Sequence, residues 1–435
     1  MIKIVRSFHI SLKTFFYLIL VYPLFSQVTP TVGLHKNTPR IFCFKGANIV
    51  TKPGHLIENG ELVIRDGIIE SVGKVSKIPD DAFEIDLSGK TIYPGFIESF
   101  YSSKKTKKKD KDKKNSKQVK SLAIDHWNSK VKPDYNLLGE FKPKSKEIET
   151  LRKLGFTTAQ LTPNTGIFRG TASVIHLGNW HADMIIGEYS PAQIIAFEYG
   201  GWGDKNYPNS LLGCVALIRQ TLLDVDWYKN AWDTYNRFPN DNEQPEITNS
   251  LKILNEHLTS ENPVCFITNE ELSALRAEKI AKEFDINLWL RGSGYEYRRL
   301  NEISEISPFI ILPLDFPEKP DVSTWESTLQ VNNEDLRHWD QAPDNPQRLV
   351  DSGIRFSLTT DGMDNRLDFR NNLLQSVERG FSKEKALEAL TTIPAKALKL
   401  ENVLGTIEVG KIANFFVTDG DYFDKDTKVE EVWIK

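Results

Sequence analysis

Seven short, nearly continuous apolar runs through the middle of the chain restrict its fold more than any other feature. They lie at 91–97, 156–161, 192–197, 264–268, 286–290, 309–314 and 356–359. Helical patterns at 147–154, 211–227, 272–284 and 373–379 fall between several of them. A strand that is apolar at consecutive positions must be covered on both faces, which is the environment of a parallel sheet flanked by helices. Seven to eight such units over about 300 residues predict an α/β protein with a closed (β/α)8 barrel. No GxGxxG follows the first strand, so a dinucleotide-binding fold loses its main support.

Both ends of the chain read differently. Runs at 41–50, 62–65 and 68–72 are separated by Lys52-Pro53-Gly54 and Asp66-Gly67, and the Asp-Gly pair marks a hairpin whose turn needs positive φ at both positions. After a helical stretch from Ser382 to Leu400, interrupted at Pro394, the residues 405–411, 414–418 and 429–434 again read as strands. These segments predict one small β-sandwich built from both termini, with Ile41 to Val50 beside Ala413 to Val417. The resulting layout is a leader at 1–26, a first β part at 27–90, the barrel at 91–403 and a second β part at 404–435.

The leader carries Lys3, Arg6 and Lys13 without an acid, then an apolar run through Phe25, and ends in Ser26-Gln27. That order is a secretory signal, with a retained membrane anchor as the alternative, and it predicts a periplasmic or extracellular protein. The run 104–120 holds ten lysines and two aspartates. Such a run is expected to be a solvated loop near the barrel mouth, dispensable for folding, or else a contact for lipid or an anionic partner. The whole chain has a formal charge of −4 and a pI of about 6.1, which argues against nucleic-acid binding. Cys43, Cys214 and Cys265 are sparse and without CxxC spacing, so buried single thiols are expected.

Four landmarks carry a resemblance: Gly60 to Gly73 (GELVIRDGIIESVG), Gly89 to Glu98 (GKTIYPGFIE), Ala389 to Lys396 (ALTTIPAK) and Leu404 to Phe416 (LGTIEVGKIANFF). In this order they resemble the amidohydrolase superfamily, closest to its imidazolonepropionase-like and dihydroorotase-like branch. The resemblance implies a (β/α)8 barrel flanked by a β-sandwich from both termini. It also implies hydrolysis of non-peptide C–N bonds by water activated on a divalent metal such as zinc. The family's ligands are His-x-His after the first barrel strand, a carboxylate or carbamylated lysine on the fourth, histidines on the fifth and sixth, and an aspartate on the eighth.

This chain departs from that set. Phe100 and Ser102, in Glu98-Ser99-Phe100-Tyr101-Ser102, occupy the two first-strand histidine positions. Ile267 or Thr268 stands at the fifth-strand end and Arg291 at the sixth, and only Asp361, in Leu358-Thr-Thr-Asp-Gly362, matches the family. Asp361 is the candidate catalytic residue, as a general base or metal ligand; its alternative role is to close an Asx-type turn. His176 with His181, His126 with Trp127, a cationic site from Arg291, Arg298 and Arg299, and Arg169 on a mouth loop at 164–170 are further candidates, each with a structural alternative. With Phe100, Ser102 and Arg291 at ligand positions, no catalytic zinc is expected in this chain.

Two readings follow from the resemblance: a degenerate, non-catalytic amidohydrolase module serving a second domain or subunit, or an active metal-dependent hydrolase with an unorthodox site around Asp361. An exported ligand-binding protein using the nine tryptophans is a third. The terminal Val432-Trp-Ile-Lys435 reads as mid-strand, so the chain is expected to continue past Lys435, with a second amidohydrolase domain or subunit as the candidate partner.

Overall fold

A computed structural model describes residues 40–74, 78–102, 126–141, 145–178, 191–200 and 206–435. The leader, the lysine run and His181 lie outside them. The chain divides into units at 1–40 and 41–435, and the strands and helices of the described residues belong to the second.

The first sheet draws on both ends of the chain. Its strands are β1 (Ile41–Lys52), β2 (His55–Arg65), β3 (Ile68–Gly73), β4 (Phe83–Asp86), β5 (Thr91–Pro94), β15 (Phe415–Thr418) and β16 (Val429–Trp433), in the order β16-β15-β5-β1-β2-β3 with β4 beside β1. Asp66 and Gly67 have φ of 51° and 78°, as the hairpin reading requires. The terminal strands do share a sheet, but Ile41 to Val50 is not directly beside Ala413 to Val417. β5 lies between them, parallel to β1 and antiparallel to β15. Phe44 still reaches Phe415 across it, ring centroids 5.2 Å apart. Residues 405–411 form no strand; Ile407 and Gly410 donate from their backbone amides to the carbonyls of Thr51 and Ile69.

The run 91–97 is divided between two sheets. Gly95 turns the chain out of β5 and into β6 (Phe96–Ser102), and a Cβ built on it would collide with Thr157 Oγ1, so only glycine fits. β6 pairs in parallel with β7 (Phe156–Thr162), and β7 pairs antiparallel with β9 (Ser173–His176). A further sheet runs β14-β13-β12-β11-β10-β8, where β8 is Phe168–Thr171, β10 Gln193–Ala196, β11 Val264–Ile267, β12 Leu288–Arg291, β13 Phe309–Pro313 and β14 Phe356–Thr359. The strands from β10 to β14 are mutually parallel. β8 and β9 are consecutive, separated only by Ala172, so one extended segment serves both sheets. Sequence reading placed 164–170 in a mouth loop; instead Arg169 sits in β8 and pairs with Glu198 at 2.9 Å.

The strands are buried on both faces. One face contributes Ile97, Val174, Ile194, Cys265, Trp289 and Ile311 to a core cluster. The other contributes Phe96, Phe156, Ile195, Phe266, Leu290 and Ile310 to a larger one, against helices α1 (Ser145–Lys153), α2 (Leu211–Arg237), α3 (Asn249–Thr259) and α4 (Glu271–Glu283). This two-sided burial is why the strands are apolar throughout. The remaining helices are α5 (Leu300–Ile306), α6 (Trp325–Gln330), α7 (Asn333–Gln341), α8 (Asn345–Asp351), α9 (Phe369–Glu378), α10 (Lys383–Leu390) and α11 (Thr392–Ala397). Pro394 lies inside α11, and the break falls earlier at Thr391, whose hydroxyl donates back to Leu387 O at 2.6 Å. The three cysteines are buried and free, as expected.

Candidate functional site

The C-terminal ends of β6, β12 and β14 meet at one place. Glu98, fully buried in β6, accepts hydrogen bonds from Thr360 N at 2.9 Å, Thr360 Oγ1 at 2.7 Å, Phe100 N at 3.1 Å and the Thr359 hydroxyl. It thereby ties β6 to the end of β14. Burial pushes its carboxyl above the usual value, against the downward pull of these donors.

Asp361 follows directly. Ser102 Oγ donates to Asp361 Oδ1 at 2.6 Å, and Arg291 Nε donates to Oδ2 at 3.0 Å. Arg291 Nη2 also donates to the Asp361 backbone carbonyl at 2.9 Å, and Nη1 to Gly292 O at 2.8 Å. The two charged side chains are only 10% and 14% exposed. A Cβ on Gly362 would stand 2.6 Å from Arg291 Nη2, so the glycine admits the guanidinium. Asp361 therefore does not spend its carboxylate on a local Asx turn; it bridges three strand ends. Thr268, at the fifth-strand ligand position, donates to Arg291 O at 2.8 Å, and Phe100 is 2% exposed within the core.

These residues do not fit a zinc ion. The family's sixth-strand histidine position carries a guanidinium that already neutralises the one retained aspartate, and Phe100 has no donor atom. Among the described residues no group of three or more His, Cys, Asp or Glu side chains could hold a metal.

The other candidates disperse. His176 is 5% exposed, its Nδ1 lies 3.0 Å from the Asn414 amide, and burial lowers its pKa to about 4; it is a packed core histidine. His126 Nδ1 accepts from Asn128 N at 3.1 Å, while Trp127 is exposed. Arg298 lies over Tyr295 and pairs with Glu334, and Arg299 pairs with Glu302, so neither joins Arg291 in a cationic site. The sequence reading missed Glu98 as the tie between strands, although it stands where the family's first-strand aspartate would be.

Beside this site, past β13 and β14, a cavity of about 630 Å³ opens, lined in part by Tyr295, Asp315, Glu318, His338, Asp364 and Asp368. The loop after β12 wraps around buried Glu296, which accepts from Ser293 N at 2.5 Å, Gly294 N at 3.2 Å and the Asn345 amide at 2.9 Å.

A strand set whose C-terminal ends converge on one ion-paired carboxylate, with a cleft beside it, defines an α/β protein of mixed sheets with its candidate site at the strand ends. The sequence model of the amidohydrolase family matches residues 343–435. An amidohydrolase from Thermotoga maritima MSB8 shares the fold with a TM-score of 0.71 at 21% identity, over 90% of this chain and 98% of that one. A prolidase complexed with N-methylphosphonate-L-proline gives 0.52 at 15% identity, over 91% and 98%. A Xaa-Pro dipeptidase with bound methionine gives 0.51 at 14%, over 90% and 98%. No curated protein matches. The resemblance to amidohydrolases read from the landmarks is thus borne out.

Proposed function

We propose that this chain is an exported, non-catalytic amidohydrolase-fold module, its strands closed into a (β/α)8 barrel and its terminal sheet forming the accompanying β-sandwich. The observation that carries the reading is the Ser102–Asp361–Arg291 arrangement. Each group that would present a lone pair or charge to a metal is already satisfied by a neighbour, and Phe100, Ser102, Thr268 and Arg291, at the family's ligand positions, have other tasks. The strand adjacency from β6 through β7, the β9–β8 segment and β10 to β14, returned to β6 by Glu98, supports the closed barrel. Export rests on the leader, and a second amidohydrolase domain or subunit is the expected partner.

The test is metal loading. Protein equilibrated with excess zinc and desalted should retain far less than one equivalent by elemental analysis, and should not turn over cyclic amides or Xaa-Pro dipeptides, the latter being the substrate class named for one structural neighbour. About one tightly held metal per chain, lost on Asp361→Ala, would overturn the proposal in favour of an active hydrolase.

A further inference from the structure

The helix α2 carries apolar residues on two opposite faces. One face packs into the core through Cys214, Leu217, Ile218, Leu222 and Val225. On the solvent side Leu212, Leu223 and Trp227 are 80%, 50% and 65% exposed, and Ala216 is exposed between the first two. At 3.6 residues per turn these four fall within about 60° of the helix circumference, so they make one stripe and not a scatter. Neighbouring α3 has the ordinary pattern and turns Lys252, Glu256 and Thr259 outward. A helix that is apolar on all sides belongs in a buried environment, and a contiguous outward stripe marks an interaction surface.

The charged residues beside the stripe identify what covers it. Arg219 and Asp226, both exposed, lie along the same edge, one about 6 Å before Leu223 and the other about 4.5 Å after it along the axis. Turning a second α2 end for end about Leu223 therefore brings each Arg219 level with Asp226 of the other copy. A twofold contact needs this self-complementarity, in which residue i meets j and j meets i. Arg219 pairs with Glu283 through Nε and Nη2, and Nη1 takes no part in that pair. In the same register Ala216 meets Asn230 and Leu212 meets Thr234, so these pairs oppose no like charges. A parallel copy would set the charged edges on opposite sides of the seam, where they do not meet.

We propose that α2 packs antiparallel against α2 of a second copy of this chain, with Leu223 at the twofold axis and two Arg219–Asp226 pairs along one edge. The stripe, continued to Thr234, runs about 33 Å at 1.5 Å per residue. One helix pair of that length buries less than the roughly 800 Å² per partner of a standard interface, so the dimer is reversible, with a dissociation constant on the order of 10 μM. An anionic lipid surface fits less well, because Asp226 and Asp233 stand beside the stripe. This does not depend on whether the ion-paired site holds a metal, so the two proposals fail separately.

The experiment is sedimentation equilibrium of the full chain from about 1 to about 300 μM, which brackets that constant. A reversible monomer–dimer equilibrium is expected. Leu223→Glu, which sets two carboxylates face to face at the axis, should leave only monomer. Asp226→Arg should weaken the dimer at least about tenfold by opposing Arg219, and Arg219→Glu should do the same by opposing Asp226. An equimolar mixture of these two variants should recover association, since each chain then presents the charge the other lacks. Lys252→Glu, on the outward face of α3, should leave the constant within about twofold. A chain that stays monomeric at about 300 μM would overturn the proposal. So would a dimer indifferent to Leu223→Glu, or a mixture of the two folded charge variants that fails to associate. Capture of a monomeric chain by anionic lipid vesicles, lost on Leu223→Glu, would also overturn it by assigning the stripe to a membrane. Circular dichroism of each variant separates lost association from lost folding.

Discussion

Arg291→Met tests whether the guanidinium has replaced a metal as the partner of Asp361. The substitution keeps the bulk of the side chain and removes its donors to Asp361 Oδ2, Asp361 O and Gly292 O. It leaves a carboxylate that is 14% exposed with, among the described residues, only the Ser102 hydroxyl as a partner. Removing one member of a buried ion pair costs about 3–5 kcal/mol, most of it the penalty of the stranded charge. At about 2 cal/mol/K of unfolding entropy per residue, a unit of roughly 400 residues has close to 0.8 kcal/mol/K, so the melting temperature should fall by about 4–6 °C. Adding Asp361→Asn removes the stranded charge while keeping an acceptor for Ser102. The double variant should therefore recover most of the loss. The assay is urea unfolding with a constant slope, checked by calorimetry. A cost below about 1 kcal/mol for the single variant, or a double variant less stable than the single, would refute the reasoning.

Glu98→Ala should cost about 3 kcal/mol or more by leaving the Thr360 hydroxyl and two amides without their acceptor, and should speed hydrogen exchange at Phe100 and Thr360, measured by mass spectrometry. Gly95→Ala should destabilise by about 2–4 kcal/mol in denaturant titration, and Thr157→Ala should rescue part of that by clearing Thr157 Oγ1 and Cγ2. Burial lowers the pKa of His176 and His338 to about 4. The unfolded chain therefore binds more protons between about pH 6.5 and 4, and stability should be lost as the pH drops through that window, by up to about 1.4 kcal/mol per unit for each histidine. Unfolding curves from pH 7 to 4 check the slope, which His338→Asn should make shallower.

What the sequence made legible depends on what each segment must satisfy locally. The parallel strands stood out because burial on both faces leaves no polar alternation, as at Val264 to Ile267 and Phe309 to Pro313. The 66–67 turn was readable because its backbone requirement is local. The β8–β9 segment was not, because Arg169, Thr171 and Ser173 interrupt it with polar side chains that bond to Glu198 and to Asn136. Residues 405–411 imitate a strand but attach to the terminal sheet through isolated backbone bonds. At the site, Phe100, Ser102 and Arg291 could be placed by position alone. That Ser102 and Arg291 both close on Asp361 could not, since the contacts span 259 and 70 residues.

The placement of β5 between β1 and β15 also sets an order of events. β5 can lie against β1 as soon as the first hundred or so residues leave the ribosome, yet its other edge pairs only with β15, more than three hundred residues later. Until then an edge strand inside an unfinished sheet stays open, and open edges recruit other chains. Vectorial synthesis therefore leaves this sheet incomplete longest, and chains that stop short of Phe415 carry a permanent docking edge. β15 acts as the clasp on β5.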